Sequence, residues 1–149
     1  MFKFKFEAIL KLKKQMEKKA QNELAVANTR LRSEQEKLDD LVDKRDKAFL
    51  EVQSESGLIN VLKLREYSKF IEVLKNRIHT QKNNVNKAQE NVDILSEKLR
   101  EAVKEKKIFE RLKEKKYREF LIKEGKKEQM LADEIVSYKT AKGNEEGGD

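Results

Sequence analysis

Apolar residues recur from Leu64 to Ala102 in steps that alternate between three and four residues. Ten of the twelve residues in this series are aliphatic, and the exceptions are Tyr67 and the polar Gln81. A period of about 3.5 residues held this long predicts a helix whose one narrow apolar seam faces another helix in a left-handed coiled coil. A helix buried in a compact bundle would carry a wider stripe. The series comprises Leu64, Tyr67, Ile71, Leu74, Ile78, Gln81, Val85, Ala88, Val92, Leu95, Leu99 and Ala102.

An earlier apolar series predicts the partner helix. Its members follow one another at about 3.6 residues per step and reach Val52, as on one face of an α-helix. Between Leu12 and Leu24 the residues are spaced by fours, which predicts a local departure from regular supercoiling. The series comprises Phe2, Phe6, Ile9, Leu12 or Lys13, Met16, Ala20, Leu24, Ala27, Leu31, Glu34 or Gln35, Leu38, Leu41 or Val42, Arg45, Phe49 and Val52.

The opening segment MFKFKF alternates apolar and basic residues. Taken alone, this alternation favours a strand, but Phe2 and Phe6 also fit the helical spacing that continues to Met16. We therefore predict a helix from about residue 3 onward. Phenylalanine and lysine side chains together would also suit a membrane surface. The continuation of the stripe as a helix–helix seam favours the hairpin.

The segment Ser54–Gly57 holds the only internal cluster of turn-forming residues. Gly57 can end a helix, and either serine can cap the next one. Two helices joined by a short turn lie antiparallel, so the numbers of facing residues should add up to roughly 115. That register places Ile9 in the neighbourhood of Phe109.

The predicted fold class is all-α, with two long helices in an antiparallel left-handed coiled-coil hairpin and a single-helix C-terminal extension. Residues 1–140 are predicted to form one domain. Helix 1 covers about residues 3–54, the turn about 54–60 and helix 2 about 60–139. Residues 141–149 lack an apolar stripe and are predicted to be a disordered tail.

About 25 residues of helix 2 extend beyond the last position that helix 1 can cover. Apolar residues recur along this extension at spacings of three, four and seven. A lone helix that exposes such a stripe is marginal in water, so we expect it to fold back, dimerise or dock on another protein. The stripe comprises Tyr117, Phe120, Leu121, Met130, Leu131, Ile135 and Tyr138.

The composition is typical of long helices. The 149 residues include no Pro and no Cys, and 42% of them are charged. Without Cys, neither a disulfide framework nor a thiolate metal site can form. No apolar run approaches the length of a membrane span, and the N-terminus lacks the pattern of a signal peptide. We therefore expect a soluble, intracellular protein.

Charge is distributed unevenly along the chain. Residues 1–20 hold seven Lys or Arg against two acidic residues, and residues 98–127 hold thirteen against six. Residues 34–56 hold four basic residues against eight acidic ones, and residues 128–149 hold two against six. The hairpin brings the two basic segments to the same end, which predicts an electrically polarised molecule.

Residues suited to catalysis are few. His79 is the only histidine, and a two-helix protein offers the carboxylate pairs Asp39–Asp40 and Asp133–Glu134 no water-excluding pocket. We therefore predict that the protein is not an enzyme and has no catalytic residue, metal site, cofactor or small-molecule substrate.

Two non-enzymatic functions are possible from the residues alone. The basic stretch 104–118 could contact nucleic-acid phosphates, but glutamates interrupt it every few residues, as is typical of a solvated helix. A homodimeric coiled-coil scaffold is the other alternative, and the mass in solution would distinguish it from a monomeric hairpin.

Short motifs lie near both ends of the chain. The opening reads FKFKFEAILKL and the segment near the C-terminus reads EQMLADEI. Bracketing an antiparallel pair of helices, they resemble the FliJ family of bacterial flagellar export proteins. Ala132 departs from the family pattern, which has a larger apolar residue there. The matching residues are Phe4, Phe6, Ile9, Leu10, Glu128, Gln129, Leu131, Asp133 and Glu134.

The resemblance implies a non-enzymatic component of the flagellar type III export apparatus, similar to the central stalk of rotary ATPases. Such a protein would seat in the hexameric export ATPase ring, promote its activity, and contact the cytoplasmic domain of the membrane export gate and export chaperones. It would be monomeric when free, cytoplasmic, and peripherally associated with the inner membrane at the flagellar base.

The analogy also assigns residues to two partners. The end of the hairpin that holds the termini would bind the ATPase, and the region nearer the turn would bind the gate. The residues implied for the ATPase are Phe4, Phe6, Tyr117, Phe120, Leu121, Leu131 and Ile135. Those implied for the gate are Val42, Phe49, Phe70, Leu74, Arg77 and Gln81.

Overall fold

The computed structural model describes residues 1–54 and 61–146. Two long helices, α1 (Glu7–Ser54) and α2 (Val61–Glu146), pack against each other, and the described residues contain no strand. The predicted all-α class is therefore confirmed. The predicted turn centred on Gly57 lies outside the described residues.

Helix α1 begins at Glu7, so the predicted start at about residue 3 is wrong. Residues 1–4 have no helical conformation, and the first turn is closed by the backbone N–H of Glu7, which donates to the Phe4 carbonyl at 3.2 Å. The carboxylate of Glu7 in this first turn suits the positive end of the helix dipole. At the other end, the Ser54 hydroxyl donates to the Glu51 carbonyl at 2.9 Å and so satisfies one of the last carbonyl groups of α1.

Helix α2 continues to Glu146, beyond the predicted end at about residue 139. Residues 141–146 are therefore helical, and this part of the predicted disordered tail is wrong. The reason is that extending an existing helix requires no apolar stripe, only residues that tolerate helical geometry. Ala141 and Lys142 favour a helix, no proline interrupts it, and the Thr140 hydroxyl donates back to the Val136 carbonyl at 2.9 Å.

The chain divides into two units. The terminal unit comprises Met1–Gln15 with Lys104–Asp149, and the middle unit comprises Met16–Val103. Each unit therefore contains part of both helices. The assignment of residues 1–140 to one domain stays a prediction.

The seam predicted for α2 is confirmed in detail. Between Val61 and Ala102, every residue that is buried or half-buried belongs to the predicted series. Leu74 and Ile78 are the most deeply covered, at 2% and 4% exposed. The one member that is exposed is Leu64, in the first turn of the helix.

The seam of α1 differs from the prediction at three positions. Ile9, Met16 and Phe49 were expected to be covered, but they are 38%, 45% and 42% exposed. Of the alternatives Leu12 and Lys13, the structure places Lys13 in the seam and leaves Leu12 53% exposed. The residues that lie in the seam instead alternate strictly in steps of four and three, so the predicted interruption of the supercoil by steps of four is also wrong. They are Phe6, Leu10, Lys13, Glu17, Ala20, Leu24, Ala27, Leu31, Glu34, Leu38, Leu41, Arg45, Ala48 and Val52.

The prediction failed at these three positions because it followed the apolar residues there, whereas the heptad period places Leu10, Glu17 and Ala48 in the seam. Lys13 shows how a polar residue is tolerated in a seam. Its aliphatic stem covers apolar neighbours while its Nζ pairs with Glu105 Oε2 at 2.8 Å. Ala48 takes the place expected for Phe49, and it is 4% exposed.

The helices run antiparallel within each unit. In the terminal unit Phe6 contacts Phe109, and in the middle unit Glu34 contacts Gln81. The residue numbers of each pair add up to 115, the value that the hairpin register predicts. The predicted pairing register is therefore confirmed at these contacts.

Candidate functional site

Three aromatic rings form a cluster in the terminal unit, which we call the aromatic cluster. The Phe2 ring centroid lies 5.3 Å from that of Tyr117 and 5.5 Å from that of Phe120. These separations and the edge-on geometry with Tyr117 are those of favourable aromatic pairs. The non-helical backbone of residues 1–4 is what allows Phe2 to reach α2 at this point.

A second aromatic contact lies where α1 begins. Phe6 packs against Phe4 at 5.9 Å and against Phe109 of α2 at 6.3 Å between ring centroids. Four residues predicted to bind the ATPase, Phe4, Phe6, Tyr117 and Phe120, therefore belong to aromatic contacts of the terminal unit. Phe2 and Phe109 were not predicted to belong to this site. The alternation of phenylalanine at positions 2, 4 and 6 was the signal that could have identified Phe2.

The other three residues of that predicted set lie on the open surface of α2. Leu121, Leu131 and Ile135 are 50%, 59% and 48% exposed. From Gly125 to Glu145 every residue is exposed. The structure thus joins two kinds of surface in one unit, a partly covered aromatic patch and an uncovered apolar stripe.

The surroundings of the aromatic residues are basic. Lys3, Lys5 and Lys116 are exposed, and Lys116 and Lys123 line a groove together with residues 1–6. Lys113 Nζ pairs with Glu7 Oε2 at 2.9 Å, and this hydrogen bond lowers the pKa of Glu7. The arrangement suits an apolar contact with a partner whose rim is acidic.

The residues predicted to bind the export gate fall into two groups. Leu74 and Gln81 are 2% and 8% exposed, because both are seam residues of α2. Their burial between the helices makes them part of the hairpin interior and leaves no surface for a partner. Val42 is half-buried. The members that face solvent are Phe49, Phe70 and Arg77.

A polar network lies inside the seam of the middle unit. Glu34 is only 4% exposed, and Gln81 Nε2 donates to its Oε2 at 2.5 Å and to its backbone carbonyl at 2.8 Å. Arg30 Nε and Lys37 Nζ approach Glu34 Oε1 at 3.0 and 3.6 Å. The hydrogen bond from Gln81 lowers the pKa of Glu34, burial opposes this, and Lys37 and Arg30 reinforce it. Glu34 and Gln35 were the two candidates for this seam position, and the structure places Glu34 there.

The described residues offer little else for chemistry. Among them, no group of three or more His, Cys, Asp or Glu side chains could hold a metal ion. Within the same residues, no helix combines the length and apolarity needed to cross a bilayer. His79 is exposed next to the seam residue Ile78. The surfaces that remain are those that suit contacts with other proteins.

Comparison of the chain with known protein families gave a match. The family model described as "Flagellar FliJ protein" matches residues 2–145, nearly the whole chain. The chain belongs to the FliJ family. Membership of this family implies a component of flagellar protein export, as the terminal motifs indicated. No curated protein and no solved structure matched the chain significantly.

Proposed function

We propose that this FliJ-family protein is a non-enzymatic stalk of the flagellar type III export apparatus. Its terminal unit seats in the hexameric export ATPase ring and promotes ATP hydrolysis there. The middle unit contacts the membrane export gate, so that the stalk links the two, and the protein also assists export chaperones. It acts on the cytoplasmic side of the membrane at the flagellar base. The observation that carries the proposal is the exposed apolar stripe next to the aromatic cluster.

The energetics of this surface support a protein partner. Leu121, Leu131 and Ile135 are each about half exposed, and Leu131 and Ile135 lie in a segment, residues 125–145, in which every residue is exposed. An isolated helix gains little stability from its own hydrogen bonds, and it is stabilised when an apolar face is buried. A binding site that covers these three residues would bury their apolar surface, and each Å² removed from water contributes about 25 cal/mol of favourable binding free energy.

The charge of the terminal unit supports the choice of partner surface. Residues 1–15 and 104–127 together hold sixteen Lys or Arg and six Glu. A surface of this sign speeds association with an acidic site and holds the docked protein in one orientation. The binding site on the ATPase should therefore be apolar at its centre and acidic at its rim.

The gate contact is proposed to involve only part of the set that the family resemblance implied. Phe49, Phe70 and Arg77 are exposed, and phenylalanine and arginine are side chains suited to interface centres. Phe70 lines a shallow depression with Lys63, Glu66 and Tyr67. We leave Leu74 and Gln81 out because they are covered by α1.

Replacing Leu121, Leu131 and Ile135 together by alanine should reduce stimulation of the purified export ATPase by at least about tenfold. Truncating each of these three half-exposed apolar side chains should remove roughly 1 kcal/mol or more of binding free energy. ATP hydrolysis is measured at a fixed ATPase concentration over a titration of the stalk protein.

The control variant carries alanine at Ile108, Ile122 and Val136, which are apolar residues of α2 outside the stripe and are 63%, 58% and 61% exposed. It should stimulate hydrolysis like the unaltered protein. Circular dichroism of both variants checks that α2 remains helical. Equal stimulation by the two variants would show that the stripe does not bind the ATPase.

Replacing Phe70 and Arg77 together by alanine should weaken binding to the purified cytoplasmic domain of the export gate by about tenfold or more. Isothermal titration calorimetry gives the affinity. Ile94→Ala, at an apolar position that is 66% exposed in the same unit, serves as the control. An unchanged affinity for the double variant would remove this surface from the gate contact.

A further inference from the structure

The exposed apolar stripe of α2 continues well beyond the aromatic cluster, as far as Tyr138. From Tyr117 to Tyr138 its positions alternate in steps of four and three residues over three heptads, and five of the seven are Tyr, Leu or Ile, whereas Glu124 and Glu128 are acidic. This series lies one residue further along the chain than the seam that faces α1, so it forms a second face of the same helix. The series comprises Tyr117, Leu121, Glu124, Glu128, Leu131, Ile135 and Tyr138.

Six of the seven residues on the second face are exposed, and Glu124 is half-buried. Tyr117, where the Phe2 ring packs, is 45% exposed, and Tyr138 at the other end is 68% exposed. Apolar residues at heptad spacing are typical of a helix that packs against one long helix. A helix is therefore the occupant that this face suits.

The charges beside the stripe change sign along α2. Residues 111–127 hold eight Lys or Arg against three Glu, and residues 128–146 hold two against five acidic residues. Two copies of this segment placed antiparallel bring each basic half against an acidic half. A parallel arrangement would bring like charges together, which is unfavourable.

We propose that residues 117–138 of two copies of this protein pair as an antiparallel coiled coil. The interface is isologous, because each copy offers the same residues to the other. In the register that the heptads favour, Leu121 lies opposite Tyr138 of the second copy and Leu131 lies opposite Glu128. Beside the seam, Lys127 then faces Glu134 of the second copy, and Arg118 faces Lys139, so one flanking pair attracts and one repels, and each occurs twice.

Two features of the stripe keep the pairing reversible. Glu124 and Glu128 occupy seam positions, and a polar residue there lowers the stability of a coiled coil. Leu121, Leu131 and Ile135 belong both to this interface and to the surface proposed for the ATPase. On the proposed function, pairing and seating therefore exclude each other, and the pair is a form of the protein before it meets the ATPase.

This pairing differs from the expectation of a free monomer. That expectation rested on the hairpin, in which α1 covers the first seam of α2. The second face lies beyond that cover, so the hairpin and the pairing of copies are compatible.

Sedimentation equilibrium of the full chain tests the pairing without any ATPase. Its result therefore does not depend on whether the proposed function is correct. The apparent mass should rise with protein concentration from 17.6 kDa toward twice that value. Leu131→Ala combined with Ile135→Ala should weaken dimerisation by about a hundredfold, since two apolar side chains per copy leave the interface. The control, Ile122→Ala with Val136→Ala, alters similar side chains on the other side of the helix and should dimerise normally.

Charge exchange tests the antiparallel register. Lys127→Glu or Glu134→Lys alone should weaken dimerisation, and the two changes in one chain should restore it, because the exchanged charges face each other again. Since the chain has no Cys, Gly125→Cys and Ala132→Cys copies can also be mixed and oxidised. A disulfide that joins the two different copies supports the register.

Three results would overturn the proposal. They are a monomer at every concentration up to the solubility limit, equal dimerisation of the Leu131/Ile135 variant and its control, and failure of the double charge exchange to restore pairing.

Discussion

Replacing Leu10 by alanine is expected to lower the free energy of unfolding by about 2–3 kcal/mol. Leu10 is 1% exposed and lies in the seam between α1 and α2 in the terminal unit. Removing its isobutyl group takes away buried apolar contacts and leaves a space that the neighbouring helix fills only in part. Urea unfolding monitored by the helical circular dichroism signal measures the change.

The adjacent residue provides a matched control. Ile9 has a side chain of the same volume but is 38% exposed, so Ile9→Ala is expected to cost less than about 1 kcal/mol. The comparison separates the heptad found in the structure from the apolar spacing read from the sequence, which put Ile9 in the seam. A larger loss for Ile9→Ala than for Leu10→Ala would show that the seam lies at Ile9.

The second large effect concerns the buried pair formed by Glu34 and Gln81. Gln81→Leu alone should lower the melting temperature by about 5–10 °C, because the buried carboxylate loses the amide that donates to it at 2.5 Å. Glu34→Leu combined with Gln81→Leu should melt at or above the temperature of the unaltered protein. Replacing both polar groups restores a continuous apolar seam, which often equals or exceeds a buried polar pair in stability.

The expected consequence of the double variant is a loss of register specificity. A single polar layer in an otherwise apolar seam favours the one alignment in which both groups are hydrogen-bonded. With leucine at both positions, shifted alignments become closer in energy to the native one.

Differential scanning calorimetry of the single and double variants gives the melting order. A double variant less stable than Gln81→Leu would contradict this account.

Acid should weaken the same pair. The pKa of Glu34 in the folded protein lies below the ordinary value of 4.5 for a glutamate, chiefly because Gln81 donates a hydrogen bond to the carboxylate. A lowered pKa means that the stabilisation is present above 4.5 and is lost as the pH falls through the folded value. The double leucine variant lacks this group, so its melting temperature should fall less than that of the unaltered protein between about pH 5 and pH 3. Equal falls would show that Glu34 does not contribute.

The candidate surfaces were predictable from the sequence only in part. The stripe of Leu121, Leu131 and Ile135 could be identified because the predicted hairpin register leaves no residues of α1 to cover this part of α2. Phe4 and Phe6 were identified through a family motif. Phe2 was not assigned to the site, because its contact with Tyr117 depends on a non-helical path that local spacing does not reveal.

Two of the residues assigned to the gate show where the family resemblance was misleading. Leu74 and Gln81 have the same spacing as every other seam residue, and a family resemblance alone assigned them to a partner. The structure buries both of them against α1. A residue in a heptad seam is by default a packing residue, and its exposure has to be known before a binding role is assigned to it.

The sequence by itself determined the two helices, the antiparallel register and the α2 seam, because a period of about 3.5 residues depends only on where apolar side chains recur. Tertiary structure decided which residues complete the α1 seam. Lys13 and Glu17 are covered there and Ile9 and Met16 are not, because facing helices select positions by geometry and a long polar side chain can lie along the seam with its charged end in water. It also decided where α1 begins, because residues 1–4 leave the helical path and Phe2 packs on the far helix, a contact between residues that are more than a hundred positions apart in the chain.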